Sequence, residues 1–259
     1  MMTILDKIVA KKKEELSSLT IPEARVLDTP FRSLKNALLT SIHPLGIIAE
    51  IKQASPSKGL LTDNFHPLSI AATYEEIGVS GISVLTDETF FKGHADDLSA
   101  VKNRVNVPVL RKDFIINEKQ VVYSERIGAD AILLIAAILE GSQLAELYDQ
   151  ASELGMEVLV EVHNEEEIEK VLTYIKPAMI GVNNRDLTTF ETHLSTTERL
   201  RPLVASDETL FISESGIHTK KDVECLLKNQ VHGMLVGEAF MRSTNKQQFL
   251  NSLFYEGEN

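Results

Sequence analysis

The chain is short of the features that mark several large protein classes. Its 259 residues hold one cysteine, Cys225, so no intrachain disulfide can form and a reducing compartment is expected. No apolar run approaches the roughly 20 residues needed to span a bilayer. The first residues lack the charged, apolar, small order of a secretory signal. A cytoplasmic chain with no membrane partner is therefore expected. Basic residues are in deficit, with 26 Lys and Arg against 38 Asp and Glu and a formal net charge of -12. A general nucleic-acid surface needs a basic face, so no nucleic-acid partner is expected either. A small anionic substrate remains compatible, because a local site can be positive on an acidic protein. The seven histidines are scattered and none pairs at a spacing such as HxxxH beside an acid, so no metal is expected.

What is present is an alternation. Short β-branched runs at Ile47–Ile51, Gly81–Leu85, Val107–Leu110, Ala131–Ile135, Glu157–Val162, Met179–Val182, Leu210–Ile212 and Gly233–Val236 read as eight strands. Helical spacing covers Leu68–Ile77, Lys119–Ile127, Glu140–Leu154, Glu165–Tyr174, Ser195–Leu203, Lys220–Lys228 and Gln247–Phe254. Gly78, Gly128 and Gly155 stand where a helix should stop before the next strand. Strict alternation implies a parallel sheet, and eight units without a linker imply a closed (β/α)8 TIM barrel. The alternative, an open doubly wound sheet, usually carries a Gly-rich phosphate turn after its first strand. The turn Gln53-Ala-Ser-Pro-Ser-Lys-Gly59 matches neither GxGxxG nor GxxxxGK[ST].

Residues 2–18 read as an amphipathic helix, with Ile4, Leu5, Ile8, Val9 and Leu16 opposite the run Lys11-Lys12-Lys13-Glu14-Glu15. The lysines are expected to form a solvated face. Pro22 and Pro30 separate this helix from a short one near Ser33–Thr40. The expected organisation is one domain, with 1–45 a helical N-terminal extension and 46–259 the barrel.

In such barrels the functional residues lie at the C-terminal ends of the strands, on one rim. Polar residues collect there strand after strand. Glu50 and Lys52 stand at spacing i, i+2 after an apolar run, so they share one face of the first strand. Taken alone they are either a structural ion pair or an acid–base pair. Lys112 closes the third strand, Glu161 the fifth, Asn183 the sixth and Glu214 the seventh. Inward-capable Glu50, Lys52, Lys112, Glu161, Asn183 and Glu214 on five strands would share one cup and shift one another's pKa values, as acid–base work requires. Ser215-Gly216 and Gly237 end the last two strands, where barrels commonly hold a phosphate on backbone N–H groups. Glu238 is awkward beside a phosphate: either it points away, or the phosphate uses only the amide. The loop Gln53–His66 is long enough to act as a lid. His163 shares the phase of Glu161 and reads as a supporting or loop histidine. Cys225 reads as core, and Tyr74, Phe240 and Phe249 as packing.

Four strand-end motifs, in order, resemble one family. They are Ala49-Glu-Ile-Lys-Gln-Ala-Ser-Pro-Ser57, Val109-Leu-Arg-Lys-Asp-Phe114, Val182-Asn-Asn-Arg-Asp-Leu187 and Ser213-Glu-Ser-Gly-Ile217. Together they resemble the indole-3-glycerol phosphate synthases of tryptophan biosynthesis, over essentially the whole chain. The resemblance implies a carbon–carbon lyase, a decarboxylase, that closes the indole ring of 1-(2-carboxyphenylamino)-1-deoxy-D-ribulose 5-phosphate with loss of CO2 and water. It implies no cofactor, and a monomer or weak homo-oligomer is expected. By resemblance Lys112 protonates the carbonyl oxygen at ring closure, and Lys52 pairs with the substrate carboxylate while Glu50 tunes the lysines. Glu161 does acid–base work, Asn183 positions hydroxyls and Glu214 is an electrostatic partner. Arg185, Ser215, Gly216 and Gly237 would hold the substrate or its phosphate, with Ser55 and Glu238 nearby. Phe114 and Leu133 would pack the anthranilate ring. Other readings are a different phosphosugar barrel of isomerase type, or a barrel that binds a phosphate ligand without catalysis.

Overall fold

The computed structural model describes residues 3–62, 64–186, 189–204, 206 and 208–255. Eight parallel strands close on themselves: β1 (Gly46–Ile51), β2 (Gly81–Leu85), β3 (Val109–Lys112), β4 (Ala131–Ile135), β5 (Glu157–Val162), β6 (Met179–Asn183), β7 (Leu210–Glu214) and β8 (Gly233–Val236). The ring closes where β1 pairs with β8, Gly46 opposite Gly233 and Ala49 opposite Val236. An open doubly wound sheet has no such pairing, so the barrel is the fold.

The sequence reason is burial on both strand faces. All six residues of β1 are buried. One phase, with Ile47, Ala49 and Ile51, packs outward against helices in the larger apolar cluster. The other phase points into the barrel, where Ile48, Leu110, Leu133, Leu159, Met179 and Ile212 form a second cluster. Near-continuous apolar runs are what such doubly covered strands require.

The helices between the strands are α3 (Pro67–Glu76), α4 (Glu88–Phe91), α5 (Ala95–Arg104), α6 (Glu118–Arg126), α7 (Gly141–Glu153), α8 (Glu165–Tyr174), α9 (Ser195–Leu200), α10 (Lys220–Lys228), α11 (Glu238–Arg242) and α12 (Lys246–Phe254). They follow the extension's α1 (Ile4–Glu15) and α2 (Leu34–Leu39). Helices α4, α5 and α11 were not among the helical stretches read from the sequence. The stretch Ser195–Leu203 divides into α9 and a 3-10 turn, Arg201–Leu203, at Pro202, which lacks the N–H an α-helix interior needs. Gly78, Gly128 and Gly155 do end helices, with φ of +78°, +94° and +82°. Tyr74, Phe240 and Phe249 pack as a chain of edge-on rings.

Helix α2 plugs the N-terminal end of the barrel. Its Leu34 and Leu38 are buried, and a Cβ on Gly46 or Gly81 would collide with them. Glu157, the first residue of β5, bonds the Ser33 hydroxyl at 2.6 Å and the Lys35 amide at 2.9 Å, which pins the plug. The opposite end of the barrel is left for chemistry.

Three expectations are corrected. The third strand runs over Val109–Lys112, not Val107–Leu110. Pro108 has no N–H for the ladder, and the Lys112 carbonyl accepts from the Thr86 amide at 3.1 Å. The lysine run is not all solvated, because Lys12 is only 4% exposed. Cys225 is half-buried rather than core, and its thiol donates to Glu198 at 3.0 Å. The lid-length loop after β1 begins as a small hairpin, Ala54–Ser55 against Gly59–Leu60; its Asp63 lies outside the described residues.

Candidate active site

Every residue named above as a site candidate lines one cavity at the C-terminal rim. The alternation of the strands explains why. Along β1 the inward phase runs from Ile48 through Glu50 to Lys52, along β3 from Leu110 to Lys112, and along β7 from Ile212 to Glu214. Each strand supplies an apolar floor residue and then, one inward step higher, a polar one. Leu187 of the third motif lies outside the described residues.

Lys112 is the centre of the charge. Its ammonium donates to Glu161 Oε2 at 2.8 Å and to Glu214 Oε2 at 3.0 Å. Burial opposes the charged form, but Glu161, Glu214 and Glu50 outweigh it and hold Lys112 above the ordinary lysine range. Asn183 Nδ2 donates to the other oxygen of Glu161 at 3.2 Å. Burial works to raise Glu161, yet Lys112 and His163 hold it well below the usual carboxylate range. Glu214 moves the opposite way, up to about 7, because burial and the nearby Glu161 and Glu50 charges outweigh Lys112. Gly181 makes room for it: a Cβ there would collide with the Glu214 carboxylate. Glu50 and Lys52 form a second ion pair a short way round the rim. A Cβ on Gly237 would collide with Glu50 in the same manner.

The glycine-rich end of the cavity follows β7 and β8. Ser215 and Gly216 both have positive φ, +66° and +80°. A serine in that conformation is uncommon, and both residues of the tight turn line the cavity. Glu238 does not point away. It lines the cavity and meets Arg242 at 3.1 Å, Arg185 at 3.8 Å and Lys58 at 3.9 Å. Lys58 belongs to the hairpin after β1, so this contact ties the hairpin to α11. Arg185 is braced by the Phe190 carbonyl at 3.2 Å.

The remaining wall is apolar. Phe114 and Phe91 lie 5.8 Å apart, with Leu133, Ile135 and Leu85 beside them. Helix α1 completes this wall with Ile4, Leu5 and Ile8, which the helical spacing alone marks only as an apolar stripe. Lys12 holds α1 there, 2.9 Å from both Asp87 and Asp113. Asp113 follows Lys112 directly, and Arg111 grips it from the other side at 2.8 Å. Burial would raise Asp113, but Arg111 and Lys12 hold it well below the usual range. A signal for Lys12 was present: it follows Ile4 and Ile8 at spacing four and so lies on the buried stripe. Phe91 had no comparable signal, since nothing local distinguishes it from Phe90. Among the described residues, no group of three or more His, Cys, Asp or Glu side chains could hold a metal ion.

A closed barrel with a lysine–glutamate cup on its C-terminal rim is the arrangement of a (β/α)8-barrel enzyme suited to acid–base chemistry. Residues 5–253 match the family model for indole-3-glycerol phosphate synthase, and the chain belongs to that family. Proteins of that name from Halalkalibacterium halodurans and Shouchella clausii are similar to it. The first is 48% identical over 251 residues, covering 97% of this chain and 96% of that protein. The second is 49% identical over 253 residues, covering 98% of each. The namesake from Bacillus velezensis is 48% identical over 253 residues, covering 98% of this chain and 100% of its own. A solved structure of N-acetylmannosamine-6-phosphate 2-epimerase from Clostridium perfringens superposes with a TM-score of 0.63 at 15% identity. It covers 87% of this chain and 96% of that one, and shares the fold alone.

Proposed function

We propose that the chain closes the indole ring of 1-(2-carboxyphenylamino)-1-deoxy-D-ribulose 5-phosphate, releasing CO2 and water, and that the residues of the rim cavity do the work. The observation that carries the assignment of roles is the half-buried Lys112, ionised between two glutamates beside an apolar wall. Ring closure moves an electron pair from the aromatic ring onto the C2′ carbonyl oxygen, which must take a proton. Lys112, held as an ammonium, is placed to donate it. The carboxylate then leaves as neutral CO2, which an apolar wall of Phe114, Leu133 and Phe91 favours over the charged form. Loss of the C2′ hydroxyl as water needs a second proton on oxygen, and C1′ must give one up for the ring to become aromatic. Glu161 and Glu214 are carboxyls of opposite tendency within reach of one lysine, and they suit this acid–base pair of tasks.

Lys52 would exchange Glu50 for the substrate carboxylate. Asn183 would orient hydroxyls of the sugar chain. The amides of Ser215, Gly216 and Gly237, with Arg185, would take the phosphate, and Ser55 and Lys58 on the hairpin would approach it. The run of the family match from residue 5 to residue 253 supports reading the extension and the barrel as one domain. The test is turnover of the anilino-ribulose phosphate followed by indole fluorescence. Full turnover by both Lys112→Ala and Glu161→Gln would refute these roles.

A further inference from the structure

Glu161 and Glu214 make equivalent contacts with Lys112, yet they are not equivalent behind it. The second oxygen of Glu214 is buried without a hydrogen-bond partner among the described residues. The second oxygen of Glu161 faces a cation. His163 follows Glu161 by two residues and so rises on the same inward phase of β5. Its Nε2 lies 3.3 Å from Glu161 Oε1, and its Nδ1 lies 3.1 Å from Glu167 Oε2. Glu167 is itself held at the start of α8. It accepts from the Asn164 side chain at 2.9 Å and from the His163 amide at 2.9 Å. The His163 side chain is 10% exposed, between Glu161 at 5% and Glu167 at 13%. Nδ1 is hydrogen-bonded to Glu167, while Nε2, with no hydrogen-bond partner among the described residues, stands at ion-pair distance from Glu161; a ring set between two carboxylates is favoured as the imidazolium.

We propose that His163 is a positioning residue that divides the work of the two glutamates: standing as a fixed cation behind Glu161, it keeps that carboxylate ionised as the base and leaves Glu214 as the one that carries a proton. The inference rests on the proposed ring closure, for which one base and one acid are needed on the same cup. Charged groups facing the two glutamates are Lys112 from β3, Glu50 with its partner Lys52 from β1, and His163; Glu167 faces His163 from α8. The directions agree with this division. Burial opposes a charged His163, but Glu161 and Glu167 push it up to about 10. Two carboxyls pushed apart by their surroundings are the pattern that separates an acid from a base.

The first measurement uses the unaltered protein. The ring 15N shifts of His163 are followed from about pH 5 to about pH 9, across the unperturbed histidine value of ~6.5. Both nitrogens are expected to stay protonated through neutrality. A midpoint near ~6.5 overturns the proposal. The second measurement is kcat against pH for the wild type, His163→Asn and His163→Lys. Removing the cation raises Glu161, so His163→Asn should lose activity on the acid side about 1–3 pH units sooner, and His163→Lys should restore much of the wild-type limb. An acid limb unmoved in His163→Asn overturns the proposal. If His163→Asn does not fold, Glu167→Gln serves instead: it should lower the His163 midpoint by about one unit or more, and no change overturns the proposal. A wild type that forms no indole refutes the proposed reaction, while the 15N titration still decides the charge of His163.

Discussion

Replacing Lys12 by methionine tests how α1 is held over the cup. Methionine keeps most of the apolar stem and removes the charge. The two aspartates lose different amounts. Asp113 keeps Arg111 at 2.8 Å and the Thr86 hydroxyl at 2.5 Å. Asp87 keeps the amides of Phe90 and Phe91 on one oxygen, but among the described residues its other oxygen meets only Lys12. Leaving a buried charge uncompensated costs about 3–5 kcal/mol, and the retained partners of Asp113 favour the lower end. The chain has another way to respond. If α1 lifts away, water reaches Asp87, and the apolar loss is the burial of Ile8 with parts of Ile4 and Leu5. Full burial of one such side chain contributes about 1.5–3 kcal/mol. The two costs are of the same order, so Lys12→Met should loosen α1 locally rather than unfold the barrel. Hydrogen exchange at the amides of α1 should accelerate by about tenfold or more, and the melting temperature should fall by about 4–8 °C. KM should rise as Ile4, Leu5 and Ile8 leave the apolar wall. Unchanged exchange in α1 together with unchanged KM would refute the reasoning.

Lys112→Arg keeps the charge but cannot give up a proton usefully; kcat should fall by about 10²–10⁴-fold with little change in KM, measured by indole fluorescence. Gly181→Ala drives a Cβ into the Glu214 carboxylate, so kcat should fall while a urea denaturation midpoint shifts little; unaltered turnover would remove Glu214 from the proposed chemistry. Arg185→Ala removes the charge-assisted contact proposed for the phosphate, and KM should rise by about 10–100-fold. Glu214 is raised from 4.5 to about 7, so between these values the folded state binds more protons than the unfolded one and stability falls as pH rises. Glu214→Gln should become relatively more stable than the wild type across that window in urea titrations at its two ends, and a difference constant with pH would contradict the assignment.

The barrel was legible because its strands and helices carry different periods of the same apolar residues, and because a strand buried on both faces has little freedom in composition. The rim was legible for a related reason. A polar side chain closing an apolar strand at spacing i, i+2 has one inward direction, so Glu50, Lys52, Lys112, Glu161, Asn183 and Glu214 could be placed on a common end from the chain alone. Strand boundaries were less accessible: β3 starts two residues late because a proline cannot feed the ladder and because its neighbours set the register.

What tertiary structure alone decided are relations between residues far apart in the chain. Lys12 reaches Asp87 and Asp113 only once α1 lies over the barrel mouth, so its burial is invisible in a lysine-rich run. Glu238 meets Lys58, Arg185 and Arg242 because α11, the hairpin and the turn after β6 converge there. The cup through Glu50, Lys52 and Lys112 could be anticipated as a set of charges, but its order could not. Two glutamates on one lysine acquire opposite tendencies from what stands behind each of them. His163 faces Glu161, while Glu214 faces a buried space left by Gly181, and only the closed ring of strands sets those distances.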